Sequence, residues 1–474
     1  MIVSARGKRS PIDDFNNNNI PFDTEMSVSE SSAPSSRLDK TSFFTIPDDE
    51  TILRLVQQQF APELERLKRA YSISNNPNAK LPSTASPSQI LFGHQYDEVN
   101  RTLVGLLALR WVYNDEYDTF RGAQPAAVVL TRESFNWMRD MFKSGLKDND
   151  DFLALLTSMV VNDLGKDPQL ASDYRAQTGE DIAAQNHDRI LLNAVGAGLV
   201  PSFNRLPERD RADILRGMKL GAEFNFGQLA QAENVPVSLT ALVELRGHPR
   251  SFELGFMEQL LDIAGASGHE DWTCAKIMIQ PVLDAYRNVY EVSQSVIADE
   301  INSLRNAYDL ILVRRGKMLQ DKGFRQLEVT NDNDRALMRL FCMGRVTSLS
   351  GAQLYESALG GLEIETRTLL IAGLNVDGSV ERPAVIATYA PALLTKGVDS
   401  AGSDDEKQRR LQSLMRYLAR VLELGGTPSD KSAVVIERNM LGVVQQIVES
   451  AEFRANPTIL DNKEVPKDVI AQII

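Results

Sequence analysis

Apolar residues recur at three- and four-residue intervals through most of the chain, the spacing of helices that bury one face. Leu103, Leu106, Leu107 and Trp111 follow it, as do Phe152, Leu155, Leu156 and Met159. From Ile90 to about residue 290 the pattern predicts a succession of helices, with later members over 182–196, 208–231, 251–265 and 272–295. Val292, Val296, Ile301, Leu304 and Ile311 carry the pattern to Leu319, so one or two long helices lead out of this block. Ahead of it, residues 50–72 predict a short amphipathic helix, followed by the polar linker SNNPNAKLPSTASPSQ. Residues 1–45 are rich in Ser, Asn, Asp and Pro and predict a disordered leader.

The stretch Thr366–Ala390 differs, with two β-prone runs around a turn at Asp377-Gly378 that predict a β-hairpin. Helices are expected again over 407–424 and 433–452, and residues 456–474 read as a loosely attached tail. The fold class is mainly α. A helical core occupies 90–330, a helical part carrying the small β-hairpin occupies 331–455, and a short helix and linker at 46–89 join the core to the leader.

Composition narrows the chemistry. The chain has 474 residues and a net charge of −13, which gives no general attraction to phosphate backbones or anionic membranes. Its apolar runs fall well short of the roughly 20 residues that span a bilayer. The opening MIVSARGKRSPIDDFNNNNI lacks the apolar centre of a secretory signal, so the cytoplasm is the expected location. Two Cys exclude a disulfide scaffold and a Cys-rich zinc site; Cys274 and Cys342 lie in apolar surroundings and read as small core residues. There is no phosphate-loop, dinucleotide-fold, H-E-x-x-H or G-x-S-x-G motif, which removes the simplest kinase, dehydrogenase, zinc-protease and α/β-hydrolase readings.

Only four His are present, and His94, His187 and His269 each lie near acids, while His248 precedes an apolar helix. Asp163 follows Met159 by four and Leu156 by seven, which projects it from the end of an apolar face. A carboxylate there needs a cation, a metal or several donors, or else caps the turn at Gly165-Lys166.

The run VVNDLGKDP, residues 160–168, resembles the central motif of HD-domain proteins, a helix ending in His-Asp-Ile/Leu-Gly-Lys. The resemblance covers about 90–290 and implies an HD-like helical bundle. It also implies a divalent metal (Fe, Mn or Zn) on His94, Asp163 and His187, with Asp188 beside the last, for phosphate-ester hydrolysis or oxygenation. Asn162 stands where the motif has His, and an amide oxygen is a poorer ligand than imidazole, so the ligand set is depleted.

A second resemblance is carried by RGHPRSFELGFMEQLLDIAGASGHEDWTCA, by NHDRILLNAVGAG and by the polar leader. These blocks resemble a fungal family of helical proteins, the arginine-containing cyclodipeptide synthases of secondary metabolism. That family joins amino acids from arginyl-tRNA and a second aminoacyl-tRNA into a diketopiperazine and implies no cofactor. Such chemistry needs a carboxylate fork for a guanidinium, for which Asp163, Asp188, Glu253, Glu270 and Asp271 are candidates. It also needs a base for the attacking amine, for which His187, His248 and His269 are candidates. Residues 301–346 hold nine Arg and Lys against five acids and form either a tRNA-contacting stretch or a solvated face. A non-catalytic helical interaction protein is the third reading.

Overall fold

The computed structural model describes residues 38–72, 80–301, 303–398, 402–424 and 434–471, which form a mainly α protein with a small β element. The expected leader lies outside the described residues up to 37, but its last part is ordered. Helix α1 (Lys40–Thr45) starts on a reciprocal cap between Asp39 and Ser42. Phe44 stacks on Tyr113 at 3.7 Å, Phe43 meets Phe152 at 5.1 Å, and Arg110 donates to the carbonyls of Phe43 and Ile46. Three apolar side chains, Leu38, Phe43 and Phe44, anchor a segment whose average composition is polar.

The helix expected over 50–72 is two, α2 (Asp49–Gln59) and α3 (Ala61–Leu67), because Pro62 can open a helix but not continue one. Part of the expected linker is helical too: α4 (Pro87–Phe92) is capped by Ser86 and Gln89. The first core then gathers α5 (Asp97–Tyr113), α6 (Tyr117–Arg121), α7 (Arg132–Gly145), α8 (Asn149–Val161), α9 (Pro168–Thr178) and α10 (His187–Gly196). It continues through α11 (Pro201–Asn204), α12 (Glu208–Glu223), α13 (Phe226–Ala230), α14 (Thr240–Val243), α15 (Pro249–Gly265), α16 (Gln280–Ile297) and the start of α17 (Leu304–Asp321). Helix α5 is buried on nearly every side. It meets α15 backbone to backbone: a Cβ on Gly105 would stand 2.9 Å from the Leu261 carbonyl, and one on Gly265 would collide with that of Arg101.

A second core gathers α18 (Asp332–Met343), α19 (Leu349–Gly360), α20 (Ile364–Leu374), α21 (Ala390–Val398), α22 (Asp404–Leu422), α23 (Leu441–Val443) and α24 (Ala451–Ala455). The expected hairpin is not formed. Its first run is α20, which buries Leu370 and Leu374, one turn apart. Its second run is β1 (Ala384–Thr388), which pairs in parallel with β2 (Val435–Asn439) in the register Val385–Ile436. Strand β2 pairs antiparallel with β3 (Val469–Ala471). The helix expected over 433–452 thus opens as a strand, its Val434-Val435-Ile436 run favouring the sheet. The expected tail is docked: Leu460 is buried and Asp461 pairs with Arg416 at 2.9 Å.

Buried polar groups fasten the two cores. Arg339 donates to the carbonyls of Ala232 (3.0 Å), Asn234 (2.8 Å) and Leu374 (2.8 Å), and the Tyr308 hydroxyl lies within 2.9 Å of the first two. Glu233 accepts the Tyr389 N–H at 2.6 Å, and burial pushes its carboxyl up to about 7. Among the described residues no helix is long and apolar enough to cross a membrane.

Candidate functional site

Helix α15 presents two adjoining stripes of side chains. Arg250, Glu253 and Met257 face a cleft of about 820 Å³, walled opposite by Trp137 and Met141 of α7 and Tyr290 of α16. Leu254 and Glu258, one turn apart, face a smaller, more enclosed cavity of about 60 Å³ among α8, α10 and α12. Leu254 lines both spaces, and Asp213 of the cavity is bonded to Arg250 of the cleft, so one layer of side chains divides them. The cavity exists because Gly217, Gly221 and Gly255 line it; a Cβ on Gly221 would meet nothing within 4 Å.

The dividing layer is an ion-pair network. Arg250 reaches Asp151 at 2.8 Å, Asp210 at 2.7 Å and Asp213 at 2.5 Å, and the Ser251 hydroxyl donates to Asp213 at 2.6 Å. Burial would raise the Asp213 carboxyl, but Ser251 and Arg250 hold it below the usual carboxylate range. On the cleft side Glu253 accepts from Tyr290 at 2.7 Å and from Gln294 at 3.1 Å.

The inner cavity has a different balance. Lys166 bridges Asp163 at 2.9 Å and Glu98 at 3.1 Å, and Arg101 holds the other Glu98 oxygen at 2.8 Å. Those two cations interact with a group of carboxyls whose other members are Asp188, Glu258 and Asp262; of these Asp188 and Glu258 line the cavity, together with Asp213. Glu258 is ringed by protein, and the surface it keeps faces the cavity; its Oε1 has no hydrogen-bond partner. Burial pushes its carboxyl well up, with Asp262, Asp163 and Asp188 adding to the effect. Burial likewise raises Asp262, against Arg101 and Lys166, and Asp188, against His187 and Lys166. A surplus of enclosed carboxyls, with no metal-holding group of three or more among the described residues, suits a guanidinium or ammonium group, which supplies charge and several donors at once.

With this geometry in place, comparison with known proteins gives one match: the model of a family of unknown function, DUF6829, fits residues 53–460. The chain belongs to the DUF6829 family. No curated protein and no solved structure matches it.

In this family member the residues singled out from the sequence fall in three places. Asp188 and Asn162 line the inner cavity, Asp163 follows Asn162 behind it, and the His187 Nε2 lies 3.4 Å from Asp188. The N-terminus of α10 reaches them because Gly165 lets the His187 carbonyl approach its Cα; any Cβ there would collide with that oxygen. Glu253 lies in the cleft, and His248 is exposed at the N-cap of α15, with the helix starting at Pro249. His269 and Glu270 sit beyond α15. His269 is buried, and burial with the nearby Arg101 lowers its pKa, while Asp271 is occupied by Thr273.

The metal set expected from His94, Asp163 and His187 is not assembled. His94 is exposed with its Nδ1 at 2.7 Å from the Gln95 carbonyl, and Asp163 is paired with Lys166. Among the described residues no group of three or more His, Cys, Asp or Glu could hold a metal ion. In the basic stretch 301–346, five of the nine cations are taken up by contacts within the protein. Arg335 and Arg339 are buried, Arg305 pairs with Asp377 at 2.8 Å, Arg314 with Glu291 at 2.6 Å, and Arg325 with Asp334 at 2.7 Å.

Glu258, Asp262, Asp213 and Arg250 went unmarked in the sequence. The available signal was two acids four apart inside the apolar run FMEQLLDIAG, where a solvated face has no room.

Proposed function

We propose that this protein is a cytoplasmic biosynthetic enzyme of the arginine-containing cyclodipeptide synthase type, forming a diketopiperazine from arginyl-tRNA and a second aminoacyl-tRNA. The observation that carries the reading is the unpartnered Glu258 carboxyl in a cavity that it lines with Asp188 and Asp213, a place for the arginyl guanidinium. His187, 3.4 Å from the cavity-lining Asp188, is the base assigned to take a proton from the attacking amine. That amine attacks the ester carbonyl of the second aminoacyl group, and the bond to the tRNA ribose oxygen breaks, with the proton passing to that oxygen. The second amine then attacks the arginyl ester in the same way, which closes the ring and frees the other tRNA.

The test is expression in a host that supplies aminoacyl-tRNAs, followed by a search for an arginine-containing cyclic dipeptide. Product is expected from the native chain, is lost from Glu258→Gln, and disappears in vitro after ribonuclease treatment. If no cyclic dipeptide forms and ribonuclease changes nothing, the proposal is wrong. The HD-like metal enzyme and the non-catalytic interaction protein have no observation of this kind in their favour.

A further inference from the structure

A third space, of about 460 Å³, is walled by α16, α17 and the loop before α7. Its electrostatics are opposite to those of the acidic cavity. Arg315 donates to the Val346 carbonyl at 3.0 Å and Lys322 to the Thr347 carbonyl at 2.6 Å, and neither has a carboxylate partner within 4 Å among the described residues. Arg314 in the same pocket shows the contrast, since Glu291 neutralises it at 2.6 Å. A carbonyl accepts one hydrogen bond but cancels no charge, and a guanidinium has five N–H groups to offer. Two such cations facing one pocket stand out in a chain of net charge −13. The rest of the lining is of two kinds: the bonded pair Gln280–Asp284, 2.7 Å apart, and apolar surface from Val128, Ile311 and Met318.

We infer that this pocket binds a nucleotide phosphate: Arg315 and Lys322 hold the phosphate, Asp284 meets the sugar hydroxyls, and the apolar wall takes the base. An isolated anion would leave most of the space unfilled, and an apolar ligand would give no anion to Arg315, offset only by Asp284 among the described residues, or to the exposed Lys322. A free mononucleotide and the terminal nucleotides of an RNA strand offer the same phosphate chemistry. The inference does not depend on the proposed synthase activity.

The experiment titrates the full-length protein, by calorimetry, with 5′-AMP, adenosine, inorganic phosphate and a short RNA ending in CCA. Saturable binding of 5′-AMP or of the RNA is expected, with adenosine weaker by about tenfold or more, the worth of a charge-assisted hydrogen bond. Tighter binding of the RNA assigns the pocket to a strand end, and preference for 5′-AMP assigns it to a free nucleotide. Lys322→Met and Arg315→Met should each weaken the preferred ligand by about tenfold or more. Lys322 is exposed, so its replacement leaves the fold intact even if that of Arg315 does not. Absence of saturable binding by both ligands, or equal affinity in Lys322→Met, overturns the inference.

Discussion

Glu258 and Asp262 stand one turn apart on the same face of α15, and neither has a hydrogen bond or ion pair among the described residues. Burial raises the pKa of both neighbouring carboxyls, because charging them there costs more than in water. A cationic ligand changes that balance and releases a proton as it binds. Affinity for argininamide should therefore rise with pH, since the ligand binds the ionised carboxylates and burial raises the pKa of both groups. Calorimetry in buffers of different ionisation enthalpy should show net proton release, and Glu258→Gln should weaken binding and reduce that release. Affinity independent of pH would refute the coupling.

Gly221 separates cavity function from stability. A Cβ there meets nothing within 4 Å, and the residue lies inside α12. Gly221→Ala should raise stability by about 0.5–1 kcal/mol through helix propensity alone. Gly221→Leu should fill the cavity of about 60 Å³ and abolish argininamide binding while the protein still unfolds cooperatively. Retained binding in the Leu variant would place the cationic ligand elsewhere.

Why some of this was legible in the sequence, and some not, follows from range. The three- and four-residue spacing of Leu103, Leu106 and Leu107 or of Phe152, Leu155 and Leu156 records which face a helix buries, so the helical class was readable. Residues 384–388 carry the same local signal whether their partner is a hairpin neighbour or, as found, residues 435–439. Pairing at that distance is decided by packing, which no local pattern encodes. The site divides in the same way. Asp163 was marked by its projection from an apolar face, and its neighbour His187 by its rarity. Lys166 looked like a turn residue, and only the fold shows it bridging Asp163 to Glu98, sixty-eight positions earlier. The basic count over 301–346 does not show which cations are already paired, because charge is additive in sequence but cancels in space, as Arg305 with Asp377 illustrates.

Gly165 fixes where α10 begins relative to the cavity. Gly165→Ala would drive a methyl group into the His187 carbonyl, which is backbone and cannot swing aside. The strain should cost about 1–3 kcal/mol, read as a lower urea midpoint. Because His187 and Asp188 open α10, the same change should reduce product formation more than stability alone explains, when assayed well below the unfolding transition. A stable variant of native activity would show that α10 tolerates the shift.

The joint between the two cores should weaken with rising pH. Glu233 is buried, accepts the Tyr389 N–H and faces Glu437, and burial pushes its carboxyl from 4.5 up to about 7. The folded state binds this proton more tightly than the unfolded chain does. Its stabilisation is complete below about 4.5 and is lost as pH rises to about 7, at up to about 1.4 kcal/mol per pH unit. Glu258 and Asp262 add to the same trend, so the measurement is a difference: urea unfolding of native protein and of Glu233→Gln at pH 5, 6, 7 and 8. The Gln oxygen can still accept the Tyr389 N–H, so the variant keeps the bond and removes the titration. The gap between the two should grow in the variant's favour from pH 5 to about 7 and level off above it, because Glu233 then carries its charge in both states. Parallel curves would mean that Glu233 is ionised throughout and that Arg339 or Arg345 neutralises it.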